Sequence, residues 1–387
     1  MSEYQYYEFL AVDRPLNAAQ LAEVRALSTR ARVTSTRFTN SYQWGDFRGS
    51  PDRMMERYYD AHLYVANWGT HRVMLRLPKH LLDLRTAQQY CFEESVQAWS
   101  SGRHVLLNLS SEDEGGDWDE NAEDSLAALV GVRAELAAGD LRALYLAWLS
   151  ALSGWELRED DEEEFQSEVE PPVPAGLATL SAPQRALADF LRVDPDLLAV
   201  AAEASPVQTT TTAPEGDLTR WVKALPAAEK NALLLRVVRD DDPHVRAELL
   251  RRFHGAAMQA PADAVRRTAA QLLDAAAARR TERQRLAAER RAQEVARREQ
   301  QTALAREQRL TALVGRQEQS WLRVTALIDT KKPSEYDAAV GLLKDLREVG
   351  QRTGNADEFC QRLALLHQQH RRKSSLIERL NRAGLTA

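Results

Sequence analysis

Hydrophobic and polar positions change period several times along the chain, and each change marks an element. Tyr4 to Val12 is rich in tyrosine and apolar residues and ends at Asp13-Arg14-Pro15, where proline closes a strand because it cannot donate to the ladder. Asn17, with Gln20 three residues on, sets up a helix N-terminus ahead of Leu21, Val24 and Leu27 at helical spacing. Arg32 to Phe38 alternates and is rich in β-branched residues, which predicts a second strand; Tyr42 to Phe47 reads as a third, short one. Ser50-Pro51-Asp52 combines a cap, a first-turn proline and an acid at the positive helix end, predicting a helix that runs to about Asn67. Trp68-Gly69-Thr70 breaks it. His71 to Leu77 alternates as a strand, and Cys91 to Trp99 with His104 to Leu109 reads as a hairpin around Ser100-Ser101-Gly102. This order predicts helices on one face of a mostly antiparallel sheet.

Beyond residue 111 the pattern is helical. Helices are expected from about Ala122 to Ala138 and from Leu141 to Leu149, then from Ser181-Ala182-Pro183, from Asp194-Pro195, and as a pair after about Asp217, its second helix capped by Asp240-Asp241-Asp242-Pro243. From about Ala262 to Ile328 there is no proline and Gly315 is the only glycine, so one long Arg/Ala-rich helix is predicted. Its apolar residues Leu286, Val295 and Leu304 recur every nine, which sets no heptad seam, whereas Leu272/Leu273 and Leu310 to Leu327 are apolar enough to pack. Pairs such as Arg285/Glu289 and Glu294/Arg298 would support it locally. After Pro333, three amphipathic helices carry one small core's worth of apolar residues, from Val340 to Leu380. Cys360 falls on an apolar stripe there and is expected in that core.

The fold class is therefore α+β: an N-terminal mostly antiparallel sheet with helices, an all-α middle, the long helix and a small three-helix C-terminal module. Boundaries are drawn at 1–111, 112–170, 171–261, 262–329 and 330–387. Residues 112–124 and 156–170, with eight and nine acids, read as solvated acidic segments, the second ending in Pro171-Pro172-Val173-Pro174.

Charge sharpens this division. Residues 1–261 carry 26 Lys+Arg against 41 Asp+Glu, and residues 262–387 carry 25 against 16. Sixteen of the 26 aromatic residues lie in the first 120, so the front is acidic and aromatic and the back basic and nearly aromatic-free. Two distant cysteines, Cys91 and Cys360, exclude a disulfide framework and a four-cysteine zinc site. With no signal-peptide pattern and no long apolar run, a soluble cytoplasmic chain is expected.

Two stretches bear resemblances. Tyr4-Gln-Tyr-Tyr-Glu-Phe9, Asp13-Arg-Pro-Leu16, Tyr42-Gln-Trp-Gly-Asp-Phe47 and Leu63-Tyr-Val-Ala-Asn-Trp-Gly69 resemble an uncharacterised bacterial protein family. Arg371-Arg-Lys-Ser-Ser-Leu-Ile-Glu-Arg-Leu-Asn-Arg-Ala-Gly-Leu385 is similar to the C-terminal end of some bacterial SWIM zinc-finger proteins, over about 55 residues here. The zinc-binding part of such proteins is missing. The resemblance implies a shared partner-docking module and a SWIM zinc-finger protein among the partners.

No cofactor or metal is implied by any motif. His62, His71 and His80 recur every nine residues without paired ligand spacing; Gly-x-Ser-x-Gly, Gly-x-Gly-x-x-Gly and Walker-type strings are absent. Aromatic residues beside glycine at Trp44-Gly45-Asp46-Phe47 and Asn67-Trp68-Gly69 either fill the core or line a ligand groove. Arg37, Trp44, Asp46, Phe47, Arg48, Asp60, Trp68 and His71 are the groove candidates. The expectation is a non-enzymatic scaffold or adaptor that binds partner proteins through its N-terminal domain and its C-terminal helices, with no membrane contact. The alternative is a nucleic-acid-associated protein using Arg279, Arg280, Arg283, Arg290, Arg291, Arg297 and Arg298 with the basic tail. A third reading is an enzyme of unfamiliar type around Trp44–Asp60 and Asn67–His71.

Overall fold

The tyrosine-rich opening becomes the middle of a sheet. In the computed structural model, which describes residues 3–113, 123, 125–155, 168–207, 215–238, 244–254 and 266–386, β1 (Gln5–Leu10) lies between β3 (Arg37–Tyr42) and β4 (Ala61–Ala66). With β2 (Arg32–Val33), β5 (His71–Pro78), β6 (Val96–Ser101) and β7 (His104–Ser111), it forms a seven-stranded antiparallel sheet in the order β2-β3-β1-β4-β5-β7-β6. Phe9 sits opposite both Phe38 and His62, and Tyr7 opposite Asn40 and Tyr64.

Three segments differ from expectation, and for Ala61–Ala66 the reason is burial on both faces, which removes the period of two. The predicted strand 32–38 is a tight hairpin of β2 and β3. The stretch 42–47 bends instead of extending. The helix begun at Ser50, α2 (Pro51–Arg57), stops after seven residues, and Ala61–Ala66, apolar at both parities, is strand β4 rather than the end of that helix. A short helix, α3 (Leu84–Gln88), was not expected, whereas α1 (Ala18–Leu27) has the predicted Asn17/Gln20 capping box.

Helices cover both faces of the sheet, not one. Phe9, Phe38, Met74 and Leu106 point into a core with Val24 of α1 and Met54 and Met55 of α2. The opposite parity, including Leu63, Val65, Val73, Leu75 and Leu107, meets a larger helical layer. That layer contains α4 (Leu126–Leu129), α5 (Gly131–Ala137), α6 (Arg142–Trp155), α7 (Ala182–Phe190) and α8 (Pro195–Ala204). Helix α6 is apolar on all sides and buries Tyr145 and Trp148, as a helix inside a core must. The helices α9 (Glu215–Ala224), α10 (Ala227–Val238) and α11 (Val245–His254) follow, and Ala269, Leu272 and Ala276 at the start of α12 (Ala269–Val314) complete the core. The acidic stretches at 114–122 and 156–167, the Thr-rich stretch at 208–214 and the Asp240–Pro243 cap lie outside the described residues. The end of the second acidic run is not a solvated loop: Glu170 is buried, accepting from Tyr145 and from Arg267 Nε and Nη2 at 2.9 and 2.7 Å.

The chain divides into two units, Met1–Glu282 and Arg283–Ala387. In the second, the helix expected to reach Ile328 is interrupted at Gly315-Arg316, giving α13 (Gln317–Asp329). Helices α14 (Pro333–Thr353), α15 (Ala356–Gln369) and α16 (Ser374–Arg382) are the predicted three-helix module, with Gly354 at φ +78° ending α14 in the left-handed conformation glycine permits. Its core also takes in Val324 and Ile328 of α13 and Leu310 and Leu313 of α12. Cys360 is exposed, a correction to its expected place in that core: the stripe that packs runs through Phe359, Leu363 and Leu366, one residue out of phase.

Candidate functional site

The eight groove candidates are distributed over both faces and both ends of the sheet. Phe47 packs in the aromatic core against Tyr7 and Phe38, with ring centroids at 5.4 and 5.6 Å. Beside it Asp46 accepts from Gln5 Nε2 at 2.9 Å, and Gln5 Oε1 in turn accepts from the hydroxyls of Tyr7 and Tyr64. Burial pushes the Tyr64 phenol up to about 12, so it stays a donor at neutral pH. Trp44 and Arg48 stand exposed, Trp44 at 76%. Arg37 pairs with buried Glu8 at 2.7 Å on the other face.

Asp60 belongs to a buried ionic cluster at the far end of β4. It accepts from the amides of Val12 and Asp13 and from Arg76 Nε and Nη2 at 3.1 and 2.8 Å. Arg133, 4% exposed, donates to Asp13 at 2.6 Å and to the Arg76 carbonyl at 2.7 Å, while His244 meets Asp13 at 2.9 Å. Burial alone would raise the Asp13 carboxyl, but hydrogen bonds from His244 and Arg133 and their charge hold it at about 2. Asp60 and Asp13 thus fix the Asp13-Arg14-Pro15 turn rather than face a ligand.

Trp68 and His71 lie beside a cavity at the edge of the sheet. Trp68 is exposed in the β4–β5 turn; His71 is buried, donating from Nδ1 to the Phe190 carbonyl at 2.8 Å and stacking on its ring at 4.7 Å. This contact seats the end of α7 against the start of β5. The α7–α8 connection that follows is held from α6: Ser150 donates to the Leu191 carbonyl, and Ser153 Oγ accepts from the Asp194 amide at 3.3 Å. Between these anchors Arg192 adopts φ +58°, a left-handed conformation costly for a side-chain-bearing residue. Its guanidinium donates to the Gly69 carbonyl at 2.9 Å and to Ser111 Oγ at 3.2 Å.

Across from it, Phe92 and Val96 exchange backbone hydrogen bonds at 2.9 and 3.0 Å, and the loop they close places Glu93 at φ +41°. Among the described residues only three non-glycine residues have positive φ, and two of them, Glu93 and Arg192, line this cavity. Strain of this kind persists where surrounding structure over-determines it, and it concentrates at sites. The cavity encloses about 500 Å³. Its wall combines Arg72 and Arg192 with the carboxylates of Glu93, Glu94, Glu112 and Asp113 and with the hydroxyls of Ser95, Ser110, Ser111, Ser150 and Ser153. Arg72 lies over the Tyr64 ring at 5.8 Å, and its buried Nε–H meets no acceptor among the described residues.

None of these lining residues is among the eight groove candidates. Arg72 was not singled out by its strand, which also carries His71 and Arg76, and Arg192 carried no signal, because nothing in Leu191-Arg192-Val193 announces left-handed backbone. The lining includes no histidine, lysine or cysteine. Among the described residues, no group of three His, Cys, Asp or Glu is placed to hold a metal ion, and no helix is long and apolar enough to cross a membrane.

Of the arginines assigned to nucleic acid, Arg279 pairs with Glu203 at 2.9 Å and Arg280 with Asp194 at 2.8 Å. Arg283, Arg290, Arg291, Arg297 and Arg298 are exposed on α12. Compared with protein-family models, with curated proteins and with solved structures, the chain matches none.

Proposed function

We propose that the protein is a non-enzymatic adaptor whose sheet unit binds a charged segment of a partner protein in the Arg72/Arg192 cavity. The observation that carries this reading is the wall itself: hydroxyls, carboxylates and guanidinium groups, with Glu93 and Arg192 on strained backbone and no imidazole or amine among the lining side chains. A serine hydroxyl without a neighbouring imidazole or amine is a hydrogen-bonding group rather than a nucleophile. Four carboxylates against two arginines favour a basic side chain on the partner, with the Arg72 Nε–H available to a main-chain carbonyl next to it.

The C-terminal module supplies the second contact in this reading. Leu322 of α13 and Leu365 of α15 are exposed apolar side chains on a unit that is otherwise amphipathic in the usual sense. The similarity of the tail to the ends of SWIM zinc-finger proteins makes such a protein the first partner to test.

The experiment is recovery of partners by tagged full-length chain from its native cells, comparing the unaltered protein with Arg72→Gln. A partner at stoichiometric level whose recovery falls at least about tenfold with Arg72→Gln is the expected result. Absence of any stoichiometric partner, or equal recovery by both chains, would overturn the reading.

A further inference from the structure

Every residue of α12 from Ala288 to Ala305 is exposed, so this stretch buries nothing within the chain and its side chains are not chosen by packing. A solvated helix can be stabilised by Glu–Lys pairs as well as by arginine, yet there is no lysine between Lys230 and Lys331. The positive residues are all arginine, the side chain whose planar fork matches phosphate oxygens.

At about 100° per residue, Arg290 and Arg297 fall within about 20° of one another, and Arg291 and Arg298 do the same in an adjacent row about 100° away. The two pairs repeat after seven residues, or about 10.5 Å of helix. Among the described residues no ion pair engages these four arginines, in contrast to Arg306 with Glu348 and Arg309 with Asp345 further along the same helix. Glu294 lies between the rows; Glu289 and Glu299 lie on the far side, and Glu289 pairs with Arg285.

We infer that this four-arginine face binds the phosphate backbone of a nucleic-acid duplex without reading its sequence. Duplex is favoured over single strand because no Phe, Trp or Tyr occurs between Phe253 and Trp321, and single strands are held by aromatic stacking as well as charge. A duplex is favoured over a membrane surface because an interfacial helix needs an apolar face beside its basic one. Leu286, Val295 and Leu304, spaced nine apart, alternate between opposite sides.

Four phosphate contacts predict that log K falls against log salt with a slope of about −3 to −4. The test titrates full-length protein into a labelled 20-base-pair DNA, the matching RNA duplex, a single strand and anionic lipid vesicles, from low to physiological salt. Replacing the four arginines by glutamine, a residue of similar helix propensity, should remove about 3 from the slope and weaken duplex binding by at least about 30-fold at low salt, with helix content unchanged. Glu294→Gln should strengthen it about threefold, a gain that damage to the fold cannot produce. The DNA and RNA arms tell which duplex is preferred, and either supports the inference. Equal binding by the four-glutamine chain, tighter binding to single strands or vesicles, or a change in oligomeric state as the only effect would overturn it.

Discussion

Arg192 reaches from the α7–α8 connection to the β4–β5 turn and donates to the carbonyl of Gly69 at 2.9 Å, both residues being in left-handed backbone, at φ +58° and φ +103°. The helical layer and the sheet are thereby tied at the edge of the cavity through two positions where few residues fit.

Gly69→Ala tests that tie. A Cβ on Gly69 would stand 1.9 Å from the Asp113 carbonyl oxygen, so the turn must move as well as accept a strained φ. A loss of roughly 3 kcal/mol or more is expected, measured as a shift in urea midpoint of the full chain. Gly45→Ala is the control: φ is +77° but nothing lies within 4 Å, and roughly 1–2 kcal/mol is expected.

His62 makes the fold acid-sensitive. It is fully buried, stacked on Phe9 at 3.9 Å, and donates from Nδ1 to the Glu8 carbonyl, leaving Nε2 without a partner among the described residues. Burial pushes its pKa down to about 3, against about 6.5 unfolded. Below pH 6.5 the unfolded chain therefore binds the extra proton, and stability falls by about 1.4 kcal/mol per pH unit down to about pH 3. Unfolding at pH 7 and pH 5 should show His62→Phe losing that much less per unit than the unaltered chain.

The Asp13 carboxyl, held at about 2, contributes stability above its unfolded value near 3.9, lost as pH falls through 2. Arg133→Met removes one of its donors and leaves buried charge behind, for a cost of roughly 3 kcal/mol at neutral pH and an acid-unfolding midpoint shifted upward. Circular dichroism against pH measures both.

The two thiols should differ in reactivity. Cys360 is exposed, whereas Cys91 is half-buried and burial pushes its pKa up. A thiol reagent at pH 7.5 should label one equivalent rapidly in the folded chain, and Cys360→Ser should abolish that fast phase.

How legible these features were follows from what each side chain had to satisfy. Asn17-Gln20 and Ser50-Pro51 were readable because caps act locally, on their own few residues. Ala61–Ala66 was not, since a strand covered on two faces loses its alternation. Cys360 was misplaced by one residue of helical phase, which sequence spacing alone fixes poorly. The cavity was least legible of all: Arg72, Glu93 and Arg192 come from three separate segments, and left-handed φ at Glu93 and Arg192 is imposed by tertiary hydrogen bonds. Trp68 and His71 pointed to the right neighbourhood; Trp44, Arg37 and Asp60 belong to other surroundings.

Site-specific photocrosslinking from the cavity wall in native cells tests the adaptor reading most directly. A photoreactive residue at Ser95, in otherwise unaltered full-length chain, is predicted to give one discrete adduct with a partner protein, abolished by Arg72→Gln and absent when the same probe replaces exposed Trp44. No adduct from Ser95, or the same adduct from both positions, would contradict it.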